Sequence, residues 1–136
     1  MYKILLIEDE LAYQKILKET LEKDGFEVTT ASDGKQGIIE AAVNPPDFIL
    51  LDLMMPGMDG ETFLRHIKSM SALTAIPVAI LTVVPDGVPQ KLQGEELFKK
   101  VVGFWVKDTL TPEKIVQKVK DYLSNNSEIN RKEVKL

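Results

Sequence analysis

No cysteine occurs in the chain, which removes disulfide bonding, thiol catalysis and thiolate metal ligation together. Histidine occurs once, as His66. With no second imidazole or thiolate near it, and with Arg65 and Ile67 beside it on a predicted helix, it reads as a surface residue rather than a ligand or phosphodonor. No apolar run is long enough to span a bilayer. Met1-Tyr2-Lys3 leads straight into a strand-like run and lacks the pattern of a signal peptide. Positive charge is not in excess: the net charge is −4, so the electrostatic footprint of a nucleic-acid binder is missing. At 44% hydrophobic and 28% charged, the composition argues against disorder. The 136 residues suit one domain with a single core, expected to be soluble and cytoplasmic.

What is present alternates. Strand-like runs at Tyr2 to Ile7, Phe26 to Ala31, Phe48 to Leu51, Val78 to Leu81 and Gly103 to Val106 are separated by helix-like stretches. The helices are expected from Glu10 to Asp24, from Gly34 to the Pro45-Pro46 stop, from Glu61 to Met70, from Gln90 to Val102 and from Pro112 to about Leu123. Asp9 or Glu10 is placed to cap the first, Asp33 the second and Thr111 the last. Val83 to Val88, with Pro85 and the following Pro89, reads as loop. The pattern predicts an α/β fold, a doubly wound five-stranded parallel sheet with five helices. Residues 1–123 form the domain, and 124–136 a polar, mixed-charge tail or linker.

Continuous apolar runs such as Ile4-Leu5-Leu6-Ile7 and Phe48-Ile49-Leu50-Leu51 mark strands buried on both faces. The first is closed by Glu8-Asp9 and the second by Asp52. Ligands of open α/β sheets bind outside the carboxyl ends of the strands, and right-handed crossovers put those ends on one edge. Thr82 and Lys107 close two further strands there. Each residue alone has an ordinary reading: a turn or helix cap for an aspartate, a solvated side chain for the lysine, a strand-end hydroxyl for the threonine. Their convergence on one edge favours a site.

Three neighbouring carboxylates repel and stay charged together only around a cation, and oxygen-only ligation points to Mg²⁺. Glu8, Asp9 and Asp52 are the expected ligands, with the backbone carbonyl of Met54 completing the set. Three negative charges then meet the three positive charges of Mg²⁺ and Lys107. Asp52 is the candidate nucleophile, since a carboxylate can accept a phosphoryl group as an aspartyl-phosphate. Thr82 and Lys107 would contact the phosphoryl oxygens.

The stretches Lys3-Ile4-Leu5-Leu6-Ile7-Glu8-Asp9-Glu10, Asp52-Leu53-Met54-Met55-Pro56-Gly57-Met58-Asp59-Gly60, Ile80-Leu81-Thr82 and Val106-Lys107 resemble the receiver domain of two-component response regulators. They follow the family's order over about residues 1–123, and resemble above all its stand-alone, chemotaxis-type members. The resemblance implies a flavodoxin-like three-layer fold with strand order 2-1-3-4-5. It implies Mg²⁺-dependent phosphorylation of Asp52 by a histidine kinase or histidine phosphotransfer protein, and signalling through a changed surface to a downstream protein effector. Phe104, three residues before the lysine, falls at the family's switch aromatic, which reorients together with Thr82. A phosphorylation-dependent dimer is compatible with this picture; direct nucleic-acid or membrane binding is not expected. On this reading the chain is not an enzyme toward external substrates.

Three departures from the family pattern bear on the switch. Lys107 precedes Asp108 where the family has a cis proline. A cis bond costs about 3–4 kcal/mol before a non-proline residue against about 0.5–1 kcal/mol before proline, so a trans bond or a rearranged loop is expected, with Asp108 available to pair with Lys107. Val83 stands where a small residue is usual, as a candidate gate over Asp52. Pro85 and Pro89 alter the segment that carries the signal. Two competing functions are disfavoured. A Mg²⁺-dependent phosphatase of haloacid-dehalogenase type expects Asp-x-Asp, which Asp52-Leu53-Met54 is not. A flavodoxin-like electron carrier would meet repulsion between FMN phosphate and Glu8-Asp9-Glu10.

Overall fold

The apolar runs become strands because helices cover both of their faces. The computed structural model describes residues 1–55, 57–58, 60–83 and 101–134, with side chains to residue 125. Five strands, β1 (Lys3–Ile7), β2 (Glu27–Ala31), β3 (Phe48–Asp52), β4 (Val78–Thr82) and β5 (Gly103–Val106), form one sheet. Its order is β2-β1-β3-β4-β5 and every pairing is parallel. The central strands β3 and β4 are buried along their whole length, whereas the edge strands β2 and β5 are partly exposed. Thr29 and Thr30 in β2 follow from that edge position, since a strand open on one side needs no continuous apolar run.

Among the described residues four helices flank the sheet: α1 (Leu11–Lys23), α2 (Gly34–Val43), α3 (Gly60–Ser69) and α4 (Pro112–Val134). Alternate strand residues point to opposite faces. Leu5, Ile7, Ile49, Leu51, Val78 and Ile80 therefore meet Ala41 of α2 and Phe63, Leu64 and Ile67 of α3. Ile4, Leu6, Phe48, Leu50, Ala79 and Leu81 meet Leu17 and Leu21 of α1 and Ile115, Val116, Val119 and Leu123 of α4. Trp105 extends this second core at the β5 edge, stacked on Phe48 with ring centroids 6.2 Å apart.

Two local expectations need correction. Glu10 is the N-cap of α1, but its side chain makes no capping bond, and Asp9 turns to the acid cluster described below. The last helix does not end near Leu123: α4 runs on to Val134, through most of the expected tail, where neither glycine nor proline interrupts it. Two other caps stand as expected, with Asp33 accepting from the Gln36 amide at 2.8 Å and Thr111 from the Lys114 amide at 3.2 Å. Most of the helix expected over Gln90 to Val102, the loop with Pro85 and Pro89, and the motif residues Pro56 and Asp59 lie outside the described residues.

Leu50, at the centre of β3 and fully buried between two helices, should be among the costliest side chains to truncate. Leu50→Ala is expected to lower unfolding free energy by about 2–5 kcal/mol. Urea denaturation should show a lower midpoint with an unchanged slope. A loss below about 1 kcal/mol would contradict the packing assigned to this face of the strand.

Candidate acid site at the carboxyl edge of the sheet

The ladder positions each functional group. The Glu8 amide donates to Ala31 O at 3.0 Å, carrying the β1–β2 pairing one residue beyond the strand. The Gln14 side-chain amide donates to Glu8 O at 2.8 Å and to Ala31 O at 3.4 Å, tying both strand ends to the first turn of α1. Asp52 is the last residue of β3 and pairs with Leu81. The following Leu53 amide reaches Leu81 O at 3.2 Å, and the Gly60 amide returns to Leu53 O at 3.0 Å. This return brings α3 so close that a Cβ on Gly60 would lie 2.7 Å from both Asp52 O and Leu53 Cα. Only glycine fits there, and Gly57, with φ of +77°, makes the intervening turn. On the other side Thr82 pairs with Val106, and the Lys107 amide donates to Thr82 O at 2.7 Å.

Glu8, Asp9 and Asp52 each offer a carboxylate oxygen, and these oxygens lie within 4.8 Å of one another. Glu8 is fully buried, Asp52 and Thr82 are nearly so, and Asp9 is half-buried and opens the group toward solvent. Lys107 forms an ion pair with Glu8 Oε1, and its ammonium is 3.5 Å from Asp52 Oδ2. The second oxygen of each buried acid takes a backbone donor: Glu8 Oε2 accepts from the Glu10 amide at 3.1 Å, and Asp52 Oδ1 from the Met54 amide at 3.0 Å. One lysine cannot offset three acids. The Asp52 carboxyl is accordingly pushed up from 3.8 to about 7, first by burial and then by Glu8, through its charge and a side-chain hydrogen bond, while Lys107 and the Met54 amide pull it down.

The donor set fits a hard divalent cation. Oxygens around octahedral Mg²⁺ stand about 2.9 Å (adjacent) to about 4.1 Å (opposite) apart. The three carboxylate oxygens, all within 4.8 Å of one another, stand close to that spacing, and the half-buried Asp9 faces solvent.

All the expected side chains of the acid group come together, with one change of partner. Lys107 pairs with Glu8 as well as Asp52, while Asp108 is exposed and does not pair with it. A cation is held where negative potential is highest, and that is between the two buried acids rather than at the solvated one. The Lys107–Asp108 bond is trans. Met54 and Val83 are exposed, following Asp52 and Thr82 in the chain, and Phe104 is partly exposed on β5. His66 is exposed on α3. Tyr13, partly buried against the second core, is not among the residues the sequence singles out for the site. Its ring lies under the Lys107 ammonium, 4.8 Å from Nζ to centroid. The signal was available: Tyr13 is one helical turn past Asp9 on the side facing the sheet.

A family model for the response regulator receiver domain matches residues 4–120. Response regulator PleD of Caulobacter vibrioides is 42% identical over 94 residues, 69% of this chain and 20% of that protein. The KDP operon transcriptional regulatory protein KdpE of Escherichia coli K12 is 40% identical over 82 residues, 60% of this chain and 35% of that protein. Chemotaxis protein CheY4 of Vibrio cholerae superposes with a TM-score of 0.78 at 26% identity, over 89% of this chain and 98% of that one. A receiver domain protein from Methanospirillum hungatei JF-1, at 20% identity, shares the fold with a TM-score of 0.81 over 94% of this chain and 98% of that one. Sheet order, flanking helices and the acid edge define a flavodoxin-like α/β signalling domain. The chain belongs to the response regulator receiver domain family of two-component systems. It spans about a fifth to two fifths of the length of the curated relatives it matches.

The raised Asp52 carboxyl sets a pH dependence. A proton on Asp52 is favoured in the metal-free folded state, so this residue's contribution to stability is complete below about pH 4 and is lost as pH rises toward 7. Asp52→Asn carries no charge to lose. Without metal it should therefore melt above the wild type at pH 8, by roughly 5 °C, with most of that gap gone at pH 5. A gap that is constant with pH would show that Asp52 is not under electrostatic stress.

Proposed function

We propose that the chain is a phosphorylation switch in which Asp52 accepts a phosphoryl group from a histidine kinase or histidine phosphotransfer protein. The observation that carries this reading is the grouping of the Glu8, Asp9 and Asp52 oxygens within 4.8 Å of one another, with the only lysine ion-paired to them beside Asp52 among the described residues. An Asp52 oxygen attacks phosphorus as the phosphorus–nitrogen bond to the donor imidazole breaks. The imidazole nitrogen keeps the electron pair and takes a proton. Such a transfer is mostly positioning and charge neutralisation, which this edge is built to supply.

Glu8, Asp9, Asp52 and the Met54 carbonyl would hold Mg²⁺, which when bound neutralises charge on the transferred oxygens. Lys107 leaves its pairing with the acids for a phosphoryl oxygen, and the Thr82 hydroxyl donates to another. The new dianion draws both inward, and Phe104 on the adjoining strand follows, so that a protein effector meets an altered surface. Val83, 47% exposed beside Thr82, would narrow the approach to Asp52. The chain turns over only its own phosphoryl group and is not an enzyme toward external phosphoesters.

An acyl phosphate with Mg²⁺ should add one phosphoryl group by intact mass, and Asp52→Asn or chelation should abolish the gain. Continued labelling of Asp52→Asn would move the acceptor elsewhere, and turnover of an external phosphoester would favour a phosphatase. Mg²⁺ at a hundred times its dissociation constant should stabilise the protein by about 2.7 kcal/mol. The same rise in Asp9→Ala would remove Asp9 from the metal site. Val83→Ala should speed phosphorylation or its reversal, and unchanged rates would dismiss the gate.

A further inference from the structure

Tyr13 stands on the first full turn of α1, half-buried against the core that α1 and α4 share. The Lys107 ammonium sits over its ring, 4.8 Å from the centroid, while reaching Glu8 on one side and Asp52 on the other. We propose that Tyr13 is the positioning residue for Lys107, its ring face fixing the ammonium where it serves Asp52. This rests on the reading of Lys107 as a phosphoryl contact.

The need for such a support follows from the chain around Lys107. A lysine carries its charge on a flexible four-carbon stem, so its position depends on what surrounds the head. The loop after β5 continues through the exposed Asp108 and contributes no partner to the ammonium. Glu8 and Asp52 attract the ammonium from the sheet side, and the negative face of an aromatic ring receives it from the helix side. The side chain is thereby only 7% exposed, yet keeps three favourable contacts. An aliphatic side chain at position 13 would cover the ammonium without attracting it.

The tyrosine hydroxyl is a separate matter. It is buried and makes no hydrogen bond among the described residues. Burial, followed by the charges of Glu8, Glu10, Asp52 and Asp108, pushes its acidity well out of reach, so it stays a neutral O–H. The ring rather than the hydroxyl is therefore assigned the work, and Tyr13→Phe separates the two.

The test compares Tyr13→Phe and Tyr13→Leu in the wild-type and Lys107→Met backgrounds, with thermal melting to verify folding. The first measurement needs neither metal nor phosphorylation: the rate of reductive methylation of Lys107 relative to the other lysines, read by peptide mass. Tyr13→Leu should raise it about tenfold, the scale of losing a desolvated cation–ring contact, and Tyr13→Phe should leave it unchanged. The second is the rate of phosphorylation by an acyl phosphate with Mg²⁺. Tyr13→Leu should lower it about tenfold in the wild type and have no further effect in Lys107→Met. Unchanged methylation in Tyr13→Leu, equal slowing by Tyr13→Phe, or equal slowing in the Lys107→Met background would each overturn the proposal. If Lys107→Met alone phosphorylates as fast as wild type, the role given to Lys107 at the phosphoryl group fails. The methylation rates still report whether the ring holds it.

Discussion

Mutual repulsion among three carboxylates is the constraint that organises this molecule's working edge. Glu8 and Asp52 are buried at the ends of neighbouring strands, and burial in low dielectric penalises both charges at once. The fold does not remove this tension; it contains it. Lys107 is drawn between the two acids, two backbone amides take the remaining oxygens, and Asp9 is left partly open to water. Even so, Asp52 stays reluctant to ionise. Under the proposed function, a domain in this condition gains from a divalent cation and responds when negative charge is added, which is the physical content of a switch.

The scaffold accepts this local cost because the rest of it is conventional. The central strands are sealed on both faces by aliphatic and aromatic side chains, and the register of the sheet lines up the ends of β1, β3, β4 and β5. Close backbone approach at Gly60 then pins the chain immediately after Asp52. A substituent there would move the loop that carries Met54, and with it a donor to Asp52. Precision at the site thus depends on a residue with no side chain as much as on the acids themselves.

Much of this could be read from the residues. Continuous apolar runs gave the central strands because burial on both faces leaves no polar alternation, and the acids that close those runs announced the edge. Strand order came from the family resemblance rather than from periodicity. Pair partners were less legible. Adjacency makes Asp108 available to Lys107, but the potential between two buried acids outweighs a neighbouring solvated one. Tyr13 has the spacing of a core residue on α1, and only three-dimensional proximity shows a cation on its ring. The full length of α4 is hard to read from sequence because its polar composition beyond Leu123 reads as tail, although nothing in it breaks a helix.

The measurement that bears most directly on this account is Mg²⁺ affinity as a function of pH, followed by calorimetry with protons counted in buffers of different ionisation heat. If cation binding must expel the proton that Asp52 holds, affinity should climb about tenfold per pH unit below about 7 and level off above it, with about one proton released on the acidic side. Affinity that is flat from pH 5 to pH 8 with no proton released would contradict it, because the three acids would then not be competing for relief at a shared cation.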